Sequence, residues 1–254
     1  MADPFPAWFA ALEERQRKVL TFPEIRRALQ ALSSIYVERR GKLSSGAVFD
    51  GAGKRAAFAL FYGPLHFLLV REIVRALGAA SPRPSTILDL GCGTGASGAA
   101  WALEAGGRTE LHGIDRSGWA LGEARWTAAR LGLKARFSSG DLVGAPLPAA
   151  GAVLLAFAVN ELEREYRNEL LGRMLATARE GSRVLVIEPL ARGVAPWWDE
   201  WARHVEAVGG RADEWRFPRA LPPTLSLLDK AAGLDHRTLT GRSLYIPPRA
   251  LPSS

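Results

Sequence analysis

The sequence predicts an α/β protein, a doubly wound and mostly parallel sheet preceded by a helical segment. Three observations carry this. From Thr86 onward, short apolar runs alternate with helical stretches in the order strand, helix, strand, helix. The first run, Thr86 to Leu90, passes directly into the turn Gly91-Cys92-Gly93-Thr94-Gly95 and then into a helix. Ahead of it, residues 1–82 show helical spacing without strand-like alternation, and Ser81-Pro82-Arg83-Pro84-Ser85 punctuates the boundary. The chain therefore divides into a helical segment, 1–82, and an α/β domain, 83–254.

In the helical segment, Thr21-Phe22-Pro23-Glu24 has the form of a capping box, and Ile25, Leu29, Leu32 and Ile35-Tyr36 follow at helical spacing. A second helix is expected from Lys54 to Phe61, with a break at Tyr62-Gly63-Pro64 and a restart through Leu77. Tyr62 and His66, beside that break, are candidates to contact a ligand; filling a helix interface is the simpler role for each.

In the α/β domain, the strand Thr86–Leu90 carries Asp89 near its carboxyl end. Gly91, Gly93 and Gly95 let the backbone turn tightly and approach a ligand. Ligands of such sheets bind beyond the carboxyl ends of the strands. A second strand, Glu110 to Ile114, ends in Asp115, 24 residues after Gly91, where an acidic residue accepts hydrogen bonds from ribose hydroxyls. Arg116 stands beside it. A helix over 118–131 and a short strand, 134–137, lead to Gly140-Asp141-Leu142. The apolar run 152–159, which contains Phe157, reads as the central fourth strand and delivers Asn160 and Glu161 to the ligand side. After a helix over 163–179, a fifth strand, 183–187, ends at Glu188-Pro189. A late helix, 225–232, and two closing strands, 236–239 and 243–246, leave 191–223 as an insertion. It holds Trp197, Trp198, Trp201 and Trp215, four of eight tryptophans, and suits either a lid or a docked element.

The length suits one large α/β domain with an appendage, and 48% hydrophobic residues allow a sizeable core. The single cysteine, Cys92, excludes an internal disulfide and a multi-cysteine zinc site, and fits a cytoplasmic location. Four scattered histidines suggest no metal centre. The start lacks a basic n-region, and the apolar run Ala56 to Val70, interrupted by Gly63 and Pro64, is too short to span a bilayer, so no membrane role is expected. A net charge of +7 is compatible with RNA or an acidic partner, yet no run of five basic residues appears and a general arginine bias explains it equally.

A glycine loop of this kind serves two cofactors, a nicotinamide dinucleotide or S-adenosylmethionine. Asp89-Leu90-Gly91-Cys92-Gly93-Thr94-Gly95 resembles motif I, D-x-G-x-G-x-G, of the class I S-adenosylmethionine-dependent methyltransferases. The resemblance implies a Rossmann-like seven-stranded sheet and S-adenosylmethionine as cofactor, with S-adenosylhomocysteine as product. It implies cofactor contacts from Asp89, Gly91, Cys92, Gly93, Gly95, Asp115, Arg116, Asp141, Leu142 and Phe157. Asn160, Glu161, Glu188 and Tyr62 would then position a methyl acceptor through oxygen or nitrogen, whether small molecule, protein or RNA. Members acting on base or glutamine amino groups often carry Asn/Asp-Pro-Pro-Tyr/Phe after strand four, and this chain does not.

A second resemblance rests on Ala28 to Ser33 with Arg39-Arg40, Tyr62-Gly63-Pro64, Asn160-Glu161-Leu162 and Val186 to Pro189. These are similar to segments of the methyltransferase-like assembly factors of the mitochondrial small ribosomal subunit and their bacterial relatives. It implies a cofactor-binding rRNA or ribosome factor with little catalysis. Many of those proteins have a C-terminal cysteine set for an iron-sulfur cluster, which is missing here. An NAD-dependent oxidoreductase is a third reading.

Overall fold

The computed structural model describes residues 3–38, 51–190 and 195–248, with side chains 34–38 left aside. Arg39, Arg40 and the first part of the expected insertion, residues 191–194, lie outside the described residues. Helices α1 (Phe5–Arg17), α2 (Phe22–Glu38), α3 (Ala52–Ala57) and α4 (Gly63–Leu77) precede the sheet. At the start of α2 the Glu24 carboxylate accepts from the Thr21 backbone N–H at 2.8 Å and from its hydroxyl at 2.6 Å. This is one half of a capping box, the side chain reaching back to an orphan donor.

The break expected at Tyr62-Gly63-Pro64 is instead a π turn, Phe58–Tyr62, joining α3 to α4. The Gly63 N–H donates to the Phe58 carbonyl five residues back. Pro64 has no N–H to give and its ring needs room, and the wider turn supplies that room without ending the helix. The apolar run is thus longer than expected. Ala52–Leu77 reaches 26 residues and is long and apolar enough, by length and composition, to cross a membrane, but 83% of its most apolar window is buried inside the protein.

Seven strands form one sheet in the order β3-β2-β1-β4-β5-β7-β6. They are β1 (Thr86–Leu90), β2 (Glu110–Asp115), β3 (Ala135–Ser139), β4 (Ala152–Ala156), β5 (Arg183–Glu188), β6 (Arg211–Pro218) and β7 (Thr238–Ile246). The first five are parallel, and β7 enters antiparallel between β5 and β6. Helices α5 (Ala96–Glu104), α6 (Gly118–Arg130), α7 (Arg164–Arg179), α8 (Trp198–Ala207) and α9 (Pro223–Ala231) connect them.

Two expectations about the last third change. The segment 191–223 supplies α8 and the edge strand β6, so it belongs to the sheet. The two closing strands are one, because Gly241 is no turn: a Cβ there would stand 2.9 Å from Leu69 of α4, and only glycine lets the strand pass that close.

Alternate strand residues point to opposite faces. Ile87, Leu111, Leu154, Leu185 and Ile187 meet Phe5, Trp8, Leu29, Phe61 and Phe67, so the N-terminal helices share one continuous core with the sheet. Leu88, Val153, Leu155, Val184 and Val186 face Leu170 and Met174 of α7 and Trp198 and Trp201 of α8. Three of the four tryptophans of the segment therefore anchor it against the sheet: Trp197, Trp198 and Trp201 are buried, their rings 4.7 to 5.7 Å apart.

Surface helix α7 carries an avoidable weakness. Gly172 is exposed within it, and a Cβ there meets nothing within 4 Å. Gly172→Ala is expected to stabilise the fold by about 0.5–1 kcal/mol through lost unfolded-state entropy, read as a higher denaturant midpoint with an unchanged slope.

Candidate active site

The site grows out of the turn between β1 and α5. Gly91, Gly93 and Gly95 all have positive φ, at 68°, 51° and 74°. Two of them also have no room for a side chain. A Cβ on Gly91 would come within 2.7 Å of Ala158, and one on Gly95 within 2.9 Å of Ala124. The loop is shaped by β2. The Ile114 carbonyl accepts from both Gly91 and Cys92 N–H groups, at 2.9 and 3.0 Å. The Asp115 carboxylate accepts from Gly93 N–H through Oδ2 and from Ser117 N–H through Oδ1, both at 2.8 Å. Each carboxylate oxygen keeps a further lone pair for a ligand donor. The Cys92 thiol packs with Leu121, Ala124 and Phe137 and donates weakly to the Gly93 carbonyl at 3.9 Å.

Asp89 lies beneath the loop, 1% exposed. Its Oδ2 accepts from Gly98 N–H at 3.0 Å, and its Oδ1 is buried without a partner among the described residues. Burial pushes this carboxyl up to about 7, with the Asp115 charge adding to the effect and the Gly98 N–H opposing it. On the far side of the cleft, Arg116 forms an ion pair with Asp141, whose Oδ1 accepts from Val143 N–H at 2.7 Å. Leu142 borders Gly91.

At the end of β4, Phe157 adopts φ 61°, the one positive value among described non-glycine residues, and stacks on His66 with ring centres 3.9 Å apart. A left-handed phenylalanine costs on the order of 1 kcal/mol, held here by the Phe157 N–H bond to Ile187 at 2.9 Å. Burial lowers the His66 imidazole to about 3, so it is a neutral ring. Phe58, Tyr62 and His66, four residues apart on the π turn and α4, form an aromatic wall, with Trp119 edge-on to Phe58 at 6.4 Å. The wall presses on the loop: a Cβ on Gly93 would meet Phe58 at 4.0 Å, and one on Gly63 would meet Thr94 at 3.1 Å.

Asn160 and Glu188 meet each other. The Asn160 amide N–H donates to Glu188 Oε2 at 2.6 Å while its oxygen accepts from the Trp197 indole at 2.9 Å. Val159 N–H reaches Glu188 Oε1 at 3.2 Å. Glu188 is fully buried and pushed up to about 8 by that burial, with Val159 N–H and the Arg242 charge opposing. Asn160 and Glu188 thus spend these groups on each other, on Val159 and on Trp197. Glu161 remains open to solvent, and its carboxyl is raised to about 7, by burial of its inner side and the Asp115 charge against Arg116. Sequence reasoning also missed Gly98, Phe58, and a His236–Asp229 pair with Nδ1 and Oδ1 2.5 Å apart. Among the described residues, no three His, Cys, Asp or Glu side chains gather as a metal site requires.

Residues 87–181 match the family model described as a methyltransferase domain. These residues form a methyltransferase domain, in a sheet of the class I methyltransferase type. The strand order with β7 antiparallel between β5 and β6 completes the sheet of that domain beyond the matched residues. Comparison with curated proteins gave no match. Solved structures share the fold at low identity. A putative O-methyltransferase from Nostoc punctiforme is 15% identical, with a TM-score of 0.56 over 86% of this chain and 71% of its own. The mitomycin 7-O-methyltransferase MmcR is 16% identical, with a TM-score of 0.54 over 98% and 74%. The residues of the methyltransferase domain fit its cofactor: a glycine cradle that a Cβ would fill, and a buried carboxylate oxygen, Asp89 Oδ1, lacking a donor.

Proposed function

We propose that this methyltransferase domain acts on a small planar acceptor lying against Phe58, Tyr62, His66 and Phe157. The observation carrying this is the Phe157–His66 stack at the carboxyl end of β4, which places a flat, uncharged surface beside the glycine cradle. The two neighbours above are named as O-methyltransferases, which favours a small acceptor over a macromolecule.

S-adenosylmethionine supplies an activated methyl group, so the protein's task is mainly alignment and exclusion of water. Gly91, Gly93 and Gly95 give the backbone cradle, Asp89 the partner for an amino group, and Asp115 acceptors for ribose hydroxyls. Arg116, Asp141 and Leu142 flank the base. Tyr62 and Glu161 line the acceptor side, while Asn160 and Glu188 hold the end of β4 in place.

Calorimetry with S-adenosylhomocysteine tests this directly; no binding would sink it. Its pH dependence is a sharper check. The raised Asp89 carboxyl is partly protonated below about 7, and a cationic amino group beside it favours the ionised form. Affinity should rise by up to about tenfold per pH unit below neutrality and level off above it. Stability of the free protein moves oppositely. Asp89 and Glu188 both hold protons more tightly folded than unfolded, so their contribution is full in acid and is lost as pH climbs through about 7 and about 8. An affinity flat with pH removes Asp89 from the amino-group role.

A further inference from the structure

A histidine–carboxylate pair joins the end of α9 to the approach of β7, with no part in the scheme above. Asp229, near the end of α9, is buried, and His236 engages both its oxygens: the backbone N–H reaches Oδ2 at 2.7 Å, and Nδ1 lies 2.5 Å from Oδ1. A carboxylate at Nδ1 fixes the tautomer, so Nδ1 carries the proton and Nε2 keeps its lone pair. Nε2 makes no hydrogen bond among the described residues, and the side chain is 32% exposed.

Its place in the fold points it toward the chemistry. Arg242 of β7 lies opposite Glu188, the last residue of β5, and His236 comes six residues earlier on an antiparallel strand's approach. It therefore stands beyond the carboxyl ends of the parallel strands, on the side of the glycine cradle. The ring packs edge-on against Phe61 of the π turn at 5.8 Å and lies close enough to His66 of the aromatic wall to act on it electrostatically when protonated.

We propose that His236, oriented by Asp229, is the general base that accepts the proton of a hydroxyl acceptor, which makes the substrate a phenol or alcohol. This rests on the methyl-transfer reading of the same site. The acceptor O–H proton passes to Nε2 as the oxygen's electron pair forms the bond to the methyl carbon. The carbon–sulfur bond breaks with its pair staying on sulfur, and the imidazolium then releases its proton to water. A neutral amine already offers a lone pair and would leave such a base without work.

The full-length protein, saturated with S-adenosylhomocysteine, is titrated with 4-nitrophenol, whose ionised form has its own visible band. Wild type should show the phenolate band at a pH where the free probe is mostly neutral. His236→Asn keeps an N–H toward Asp229, and so the tie between α9 and β7, but has no base. It should bind the probe without the band and, with S-adenosylmethionine, methylate it at least about 100-fold more slowly. His236→Gln carries the same test if the first variant does not fold. An equal band or equal turnover in the variant overturns the proposal, as does S-adenosylhomocysteine binding with no phenol taken up. Failure of S-adenosylhomocysteine itself to bind, measured first, overturns the methyl-transfer reading and this proposal with it.

Discussion

Asp115→Ala is expected to lower S-adenosylhomocysteine affinity by about 100-fold or more, equivalent to roughly 2.7 kcal/mol. The carboxylate does two things at once. It accepts from Gly93 and Ser117 N–H groups, fixing the cradle and the start of α6, and it offers remaining lone pairs to ribose hydroxyls. Charged acceptors of this kind contribute about 1.5–3 kcal/mol per bond. The hydrophobic core lies elsewhere, so the variant should fold, with a modest drop in Tm. Asp115→Asn keeps one acceptor oxygen and should fall between the two. Calorimetry reads the affinities and circular dichroism the fold; an unchanged affinity in Asp115→Ala would take the ribose off this residue.

Gly98→Val is expected to cost about 3 kcal/mol of stability and to abolish cofactor binding. Gly98 sits in α5 where the helix crosses β1 and β2 at closest approach. A Cβ there would stand 2.6 Å from Asp89 Oδ2 and 2.7 Å from Leu111. Neither neighbour can yield cheaply, since both are buried beneath the helix. Pushing α5 away also breaks the Gly98 N–H bond to Asp89, leaving that carboxylate without its donor. The decisive readout is the denaturant midpoint with and without S-adenosylhomocysteine. A loss smaller than about 1 kcal/mol, with binding kept, would show that the helix has slack the close contacts deny.

The glycine turn and the two carboxylates at strand ends were legible because their signals are local. Positive φ selects glycine, and Asp89 and Asp115 close apolar strand runs. The last third was less legible. Edge strand β6, Arg211–Pro218, half-buries only one face, so the stretch around Trp215 read as part of an insertion, lid or docked element, rather than as a strand. The closing strand was divided between 239 and 243 because the neighbour that Gly241 makes room for, Leu69, lies far away in sequence. The π turn was read as a break because a proline announces missing bonds and says nothing of a five-residue register that absorbs them. The pairings Asn160–Glu188–Trp197 and Asp229–His236 depend on which side chains a tertiary fold brings together, and no periodicity encodes that.

The glycine loop borrows its shape from the neighbouring strand, since Ile114 and Asp115 hold its amides before any ligand arrives. A cradle made this way has already surrendered its conformational freedom during folding. The entropy that a floppy glycine-rich segment would forfeit on capture is spent once, when β1 and β2 pair, and never again at each turnover. Product release then requires no melting of the loop, and the cycle of loading and unloading can run on a frame that stays rigid throughout.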